Sequence, residues 1–482
     1  MTPARQCPVP MIRHYRLSRI EAGRLSRLAW PILGAQLAQM GMGTLDVAMS
    51  GHVDATALAA VSIGSSVWLP IMVAFIGILM GLTPIVAQHV GARDWAAVRP
   101  ALHQALWVAG VFGTASAVGL YLASDWLLAL FAIPPEVAAL AGAYLRAVAF
   151  GLPAVAAYET LRFYSDALGH TRASLLFALL GLGVNAVANA VLIFGGPGLV
   201  AAFGPNLLPG LAGLPALGAV GCGIATTISM WTMLIGLFVY TRWHGAYAPA
   251  RIGPAWHAPA VLPIGEQLRI GVPIGVSLFS EVSLFTAITL LLAGYGEIVV
   301  SAHTVALNFS ALLFMLPLSL GMALTVRVGQ ARGRAKFRHA RFIAFNALAL
   351  AMGVALVLDA ILIFGGPYAV GLYTDNTAVR QLAVQLLLIA TIYQFSDAAQ
   401  VALAGALRGY KDTRVLMWVT LVAYWPVGLG SGHLLAAGVD GLFTGLGVYG
   451  YWIGLIAGLS VAAMLLLLRL TWVSRPVRRQ PI

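Results

Sequence analysis

Apolar stretches of about 20 residues recur along this chain from one end to the other, each long enough to cross a hydrocarbon core about 30 Å thick. That recurrence limits the fold more than any motif does. A segment in hydrocarbon must satisfy its own backbone hydrogen bonds, so it is either a helix or a strand of a closed barrel. The runs here are continuous rather than alternating, which excludes a barrel. Only 9% of the 482 residues are charged and 60% are hydrophobic, with a mean hydropathy of +0.89. A soluble domain carries roughly a quarter charged residues. The expectation is an all-α polytopic membrane protein with twelve spans, near 28–50, 57–82, 101–123, 136–158, 172–194, 216–240, 267–292, 299–325, 341–364, 381–405, 414–435 and 446–470.

The net charge of +12 is an orientation signal. One set of loops receives Arg5, Arg13, Arg16, Arg19, Arg24 and Arg27, then Arg93, Arg99, Arg162, Arg172, Arg242, Arg251 and Arg269. The same side takes the cluster from Arg327 to Arg341, then Arg408, Lys411, Arg414 and the tail from Arg469 to Arg479. The opposite loops hold Arg380 together with Asp54, Asp125, Glu136, Glu297, Asp375 and Asp440. The positive-inside rule then puts both termini in the cytoplasm, and a nucleic-acid partner is not expected. The N-terminus shows no short apolar region with a cleavage site, so no removable signal peptide is expected.

The chain repeats itself. A shift of 242 positions lays Pro31 on Pro273, and Met80, Leu82, Thr83, Val86, Gln88 and Gly91 on Met322, Leu324, Thr325, Val328, Gln330 and Gly333. The same shift lays Thr171 and Arg172 on Thr413 and Arg414, and a different one relates "LGAVGCGI" to "LGVYGYWI" at 446–453. Six spans separate the copies, so the repeat is parallel. The expected organisation is a basic tail at 1–27, a six-helix lobe at 28–240, a Pro-rich linker at 241–265, a second lobe at 266–470 and a basic tail at 471–482. Two such lobes suit alternating access about a central site.

Inside the spans stand three acids, Asp46, Glu281 and Asp397. A carboxylate in hydrocarbon is costly unless it faces a cavity or a partner, so its default reading is functional. Tyr393 and Gln400 share a helix face with Asp397; Gln39 and Asp46 share one on the first span; Asn185 and Asn189 are one turn apart on the fifth. Arg146 is the one basic residue read inside a span. Acids without a fixed counter-ion favour a proton, Na⁺ or a cationic ligand. The plainer alternative is that Gln39, Asn185 and Asn189 tie helices together by hydrogen bonds, and that an acid pairs structurally with another span. Glu159 and Asp359 read as vestibule or interfacial residues, and His52 and His303 as packing or interface residues. With two lysines in the chain and no G-x-x-x-x-G-K-[ST], no ATPase of its own is expected. Neither a metal-ligand cluster nor a Ser/His/Asp arrangement is visible, so an enzyme is not expected.

The stretch "PILGAQLAQMGMGTLD" at 31–46, with "AAVSIGSSVWLP" at 59–70, resembles the first two spans of MATE (multidrug and toxic compound extrusion) transporters. "SEVSLF" at 280–285, "SAHTVALNFSALLFMLPLSLGMALTVRVG" at 301–329 and "IYQFSDAAQVALAGALRGYKDTR" at 392–414 resemble their second lobe. The likeness is to the bacterial NorM branch and runs from about 28 to 470. It implies a secondary antiporter in the bacterial inner membrane that exports cationic and amphipathic drugs in exchange for Na⁺ or H⁺, with no cofactor beyond that cation. It assigns Glu281, Asp397 and Tyr393 to the coupling ion, with Na⁺ held at the two acids. It assigns Asp46 to coupling or drug binding, with Asn185, Asn189 and Thr226 as its network, and Gln39 joins that set by its place on the first span. The sequence does not choose between the cations, and it leaves Asp359 without a role. The alternatives are a lipid-linked oligosaccharide flippase, whose anionic substrate calls for cavity Arg or Lys, and a channel, which calls for charged rings or a filter loop.

Overall fold

The computed structural model describes residues 9–130, 133–203, 213–251, 256–439 and 443–475. Arg5, Cys7, Asp440, the last residues of the C-terminal tail and 252–255 of the linker lie outside them. The chain is built of helices: α1 (Val9–Gly51), α2 (Ala55–Leu79), α3 (Leu82–Ala92), α4 (Trp95–Ala129), α5 (Pro135–Ala149), α6 (Leu152–Leu168), α7 (Thr171–Phe203) and α8 (Gly218–Trp243). A 3-10 turn at Gly245–Ala250 follows, then α9 (Val261–Leu292), α10 (Glu297–Gly333), α11 (Phe337–Tyr373), α12 (Thr377–Gly409), α13 (Thr413–Val422), α14 (Ser431–Ala437) and α15 (Val448–Val473). A π-helical stretch, Ala423–Gly430, joins α13 to α14 around Pro426, and Gly438–Val439 pairs with Phe443–Thr444 as a minimal antiparallel ladder.

Among the described residues ten helical segments are long and apolar enough to cross a membrane. The pair α5–α6, bent by 46°, makes an eleventh. Pro153 causes the break, because it leaves the last turn of α5 without one backbone donor. The twelfth span is α1, whose apolar run is diluted by Gln36 and Gln39. The basic segment ahead of that span continues the same helix rather than forming a separate strand of tail.

The repeat is written into the backbone. Helices beginning at Ala55, Trp95, Pro135 and Thr171 recur at Glu297, Phe337, Thr377 and Thr413, each 242 residues later. The left-handed residues keep the same register: Arg93 and Ala335 (φ 62° and 54°), and Gly169 and Lys411 (φ 91° and 61°). Each ends a helix by turning the chain through the left-handed region, the usual way to close the last carbonyls. Three of the four lack glycine's freedom there, so the turn is fixed by the architecture and not by a permissive residue.

The chain divides into two compact units. One holds residues 1–30, 287–410 and 422–482, the other 31–286 and 411–421. In the first, α10 and α12 pack at backbone distance: a Cβ on Gly405 would stand 2.3 Å from the Gly321 carbonyl oxygen, and Thr325 donates to the Gly405 carbonyl at 2.9 Å. In the second, α9 meets α2 in the same way, since a Cβ on Gly77 would stand 2.4 Å from Gly275 Cα. Small residues at such crossings are how apolar helices gain contact where lipid is as apolar as they are.

The N-terminal part of α1 is fixed by Glu21, which is 1% exposed. It accepts from Arg327 at 2.6 Å and Arg24 at 2.7 Å, with His339 Nε2 at 3.5 Å. Burial raises the carboxyl, but the bonds and charges of Arg327 and then Arg24 outweigh it and hold Glu21 below its ordinary value. A depressed carboxyl contributes stability above the unfolded-state value, and that contribution disappears as pH falls through the folded-state value. Glu21→Gln is therefore expected to cost about 1.5–3 kcal/mol at neutral pH and to flatten the acid limb of a melting-temperature profile. A variant with the wild-type acid limb would show that the ion pairs carry no stability.

Candidate functional site

Asp46 lies near the end of α1, 4% exposed. Its carboxylate is held from two neighbouring helices. On α7, Asn185 and Asn189 both donate to Oδ1, at 3.0 and 2.7 Å. On α8, Thr226 Oγ1 stands 2.7 Å from Oδ2 and 3.0 Å from the Cys222 carbonyl. The one-turn spacing of 185 and 189 puts both amides on one face of α7, and Asn189 also donates to Asn185 Oδ1 at 3.2 Å. Three neutral donors therefore stabilise a buried negative charge without cancelling it. A carboxylate in that state can be neutralised by a proton, a metal ion or an organic cation, each at the expense of the others.

Gln39 is not part of this group. It stands two turns before Asp46, roughly 10 Å along the helix, and its amide is gripped by α6. Gln39 Nε2 donates to Glu159 at 2.7 Å, and Gln39 Oε1 accepts from Arg162 at 3.0 Å. Arg162 also donates to Gln36 at 2.6 Å and to both Glu159 oxygens at 3.1 Å. Glu159 and Arg162 are each 2% exposed, which corrects the reading of Glu159 as interfacial and of Arg162 as a loop residue. The reason is length: α6 runs to Leu168, so both positions lie inside the helix. Asp166, also 2% exposed, was missed entirely. Its signal was available, because 159, 162 and 166 follow one another by steps of three and four, the spacing of residues that meet on one helix face. Arg146, read as the cation inside the spans, pairs with Asp125 at 3.0 Å at the surface of the protein, with side-chain exposures of 35% and 77%.

The other two acids fall in different units. Glu281 lies half-buried in α9, next to buried Ser280, in the unit that holds Asp46. Asp397 is fully buried in α12 of the other unit, one turn after Tyr393. Tyr393 is 5% exposed and meets the buried Trp452 of α15 edge to face, with ring centroids 6.0 Å apart. Gln394 and Gln400, both buried, flank Asp397 on the same helix. Asp359, read as interfacial, is 9% exposed in α11. His303 packs as expected: it is buried, 3.2 Å from Thr289 Oγ1 and edge-on to Trp452.

Comparison with known proteins fits this arrangement. The model of the MatE family matches twice, over 31–191 and 273–433, and the second match begins and ends 242 residues after the first. The chain is 39% identical to the multidrug resistance protein PmpM of Pseudomonas aeruginosa over 472 residues, covering 98% of this chain and 95% of that protein. It is 38% identical to a probable multidrug resistance protein NorM of Shewanella oneidensis over 459 residues, covering 95% and 96%. Among solved structures, the eukaryotic MATE transporter AtDTX14 superposes with a TM-score of 0.81 at 22% identity, over 94% of this chain and 96% of that one.

If Thr226 bonds the charge on Asp46, Thr226→Val costs about 1–3 kcal/mol in the unfolding of the full chain in detergent. In an Asp46→Asn background the same change costs much less, because the partner charge is gone. Equal costs in the two backgrounds would show that the hydroxyl serves only Cys222.

Proposed function

The chain belongs to the MatE family, and on that premise we propose that it is a secondary multidrug exporter that trades a coupling cation for drug at buried carboxylates. The observation that carries this reading is the Asp46 site: a buried carboxylate held by three neutral donors. Such a site binds whichever single cation arrives, so drug and ion displace one another without direct contact.

The relatives are named as multidrug resistance proteins, which supports drugs as the cargo; cationic and amphipathic compounds follow from the sign of the site. Na⁺ or H⁺ is the coupling ion, with Asp46, Asn185, Asn189 and Thr226 as one station; Glu281, in the same unit, and Asp397 with Tyr393, in the other, are the further residues that serve the ion. Gln39 acts in our reading through the position of α1, not as a ligand. The two lobes, 28–240 and 266–470, alternate access across a bacterial cytoplasmic membrane, with the linker 241–265 and both termini on the cytoplasmic side. The oligosaccharide-flippase alternative needs free basic groups in a cavity, and Arg162 is already bound by Glu159, Gln36 and Gln39.

The test is efflux of a fluorescent organic cation from energised vesicles, given a Na⁺ pulse at fixed pH and, separately, an acid pulse. Wild type responds to at least one pulse. If the Na⁺ response is the one that disappears in Glu281→Gln and Asp397→Asn, those acids hold the ion. If the acid response disappears in Asp46→Asn, the proton is taken there. Gradient-driven efflux left intact by all three substitutions contradicts the proposal.

A further inference from the structure

The cluster between α6, α1 and α7 has a charge count that does not close. Within it lie two carboxylates, Glu159 and Asp166, and one guanidinium, Arg162, all about 2% exposed. With every group ionised the cluster would hold one uncompensated negative charge out of water, a state that costs several kcal/mol. The cheapest relief is a proton on one acid.

The hydrogen bonds say which acid. Glu159 receives two bonds from Arg162 Nη1, at 3.1 Å each, and one from Gln39 at 2.7 Å. That set of donors belongs to an ionised carboxylate. Asp166 receives one neutral donor, Ser174 Oγ on α7, at 2.7 Å to Oδ1. Its Oδ2 is buried and, among the described residues, has no hydrogen-bond partner; the same holds for Arg162 Nε, 3.9 Å away. A separation of 3.9 Å is beyond hydrogen-bond length. The charged groups bearing on Asp166 are Arg162 and Glu159 of its own helix. The 3-10 turn brings the Tyr247 phenol, α6 itself the buried Tyr158 phenol, which donates to the Ser174 carbonyl at 3.4 Å, α7 brings the Ser174 hydroxyl, and α1 brings the neutral amides of Gln36 and Gln39 to Arg162.

We propose that Glu159, Arg162 and Asp166 form a second proton-binding site, separate from Asp46, in which Asp166 carries the proton and Glu159 carries the charge. Arg162 is shared between the two acids and α1. Loss of the proton from Asp166 to water gives Arg162 a second anion to pair with and draws it away from Gln36 and Gln39. Those residues stand on the helix that carries Asp46, so the state of the cluster bears on the position of Asp46. The site stands on its own charge balance, independently of which ion drives transport.

Infrared spectroscopy of the purified full-length protein tests this, by following the C=O stretch of a buried protonated carboxyl at neutral pH, with its shift in D₂O as the assignment. We expect the band to be lost in Asp166→Asn and kept in Asp46→Asn. In Glu159→Gln it is lost as well, although Asp166 is untouched, because Arg162 then has only Asp166 to pair with. Ser174→Ala, which removes one donor and leaves the charges in place, shifts the band and serves if an acid variant does not fold. A band that survives Asp166→Asn, or that ignores both Glu159→Gln and Ser174→Ala, overturns the proposal.

Discussion

A carboxylate out of water must be answered by something, and Glu21, Glu159 and Asp46 are answered differently. Glu21 is met by arginines at the edge of the bundle and serves as an anchor. Glu159 is met by a fully buried Arg162, and the pair grips the amide of Gln39. Asp46 is met only by amides and a hydroxyl. Hydrogen bonds to a charge contribute a few kcal/mol, whereas desolvating one costs more than that. An acid solvated by neutral donors alone therefore keeps an unsettled balance, and that is the property a cation-exchanging site needs.

The repeat sharpens the point. The backbone is copied closely enough that helix starts and left-handed turns recur at one spacing. The buried acids are not copied. At that spacing Asp46 falls on Ile288, Asp397 on Val155 and Gln39 on Glu281, while Glu159, Arg162 and Asp166 fall on Val401, Ala404 and Arg408. Two similar scaffolds thus carry different charges. On the proposed reading, coupling through them is asymmetric, with Asp46 in one copy and Asp397 in the other.

The spans and their repeat were legible in the sequence, because each rests on a local rule: the length of an apolar run and one register shift. The spacing put Asn185 and Asn189 on one face of a span, but their link to Asp46, and that of Thr226, came from the resemblance to MATE transporters. The Glu159 cluster was not legible. Its residues looked like loop and interface because the fourth span was ended at 158, and charges in a row beyond an apolar run normally mark its end. The bend at Pro153 lets α6 continue into the packed interior with its charges satisfied from α1, which no local pattern announces. Gln39 was misplaced for a related reason. Sharing a helix face with Asp46 puts two residues in line, but at two turns' distance each meets a different neighbour.

The central claim is that Asp46 is a site where drug and cation exclude each other. The most direct measurement is equilibrium binding of a fluorescent organic cation to purified full-length protein while Na⁺ and H⁺ are varied one at a time, in wild type and Asp46→Asn. The account predicts displacement of the dye by one of the two ions in wild type, and dye binding in Asp46→Asn that is weakened and indifferent to that ion. Displacement that persists unchanged in Asp46→Asn would contradict it and remove Asp46 from the exchange.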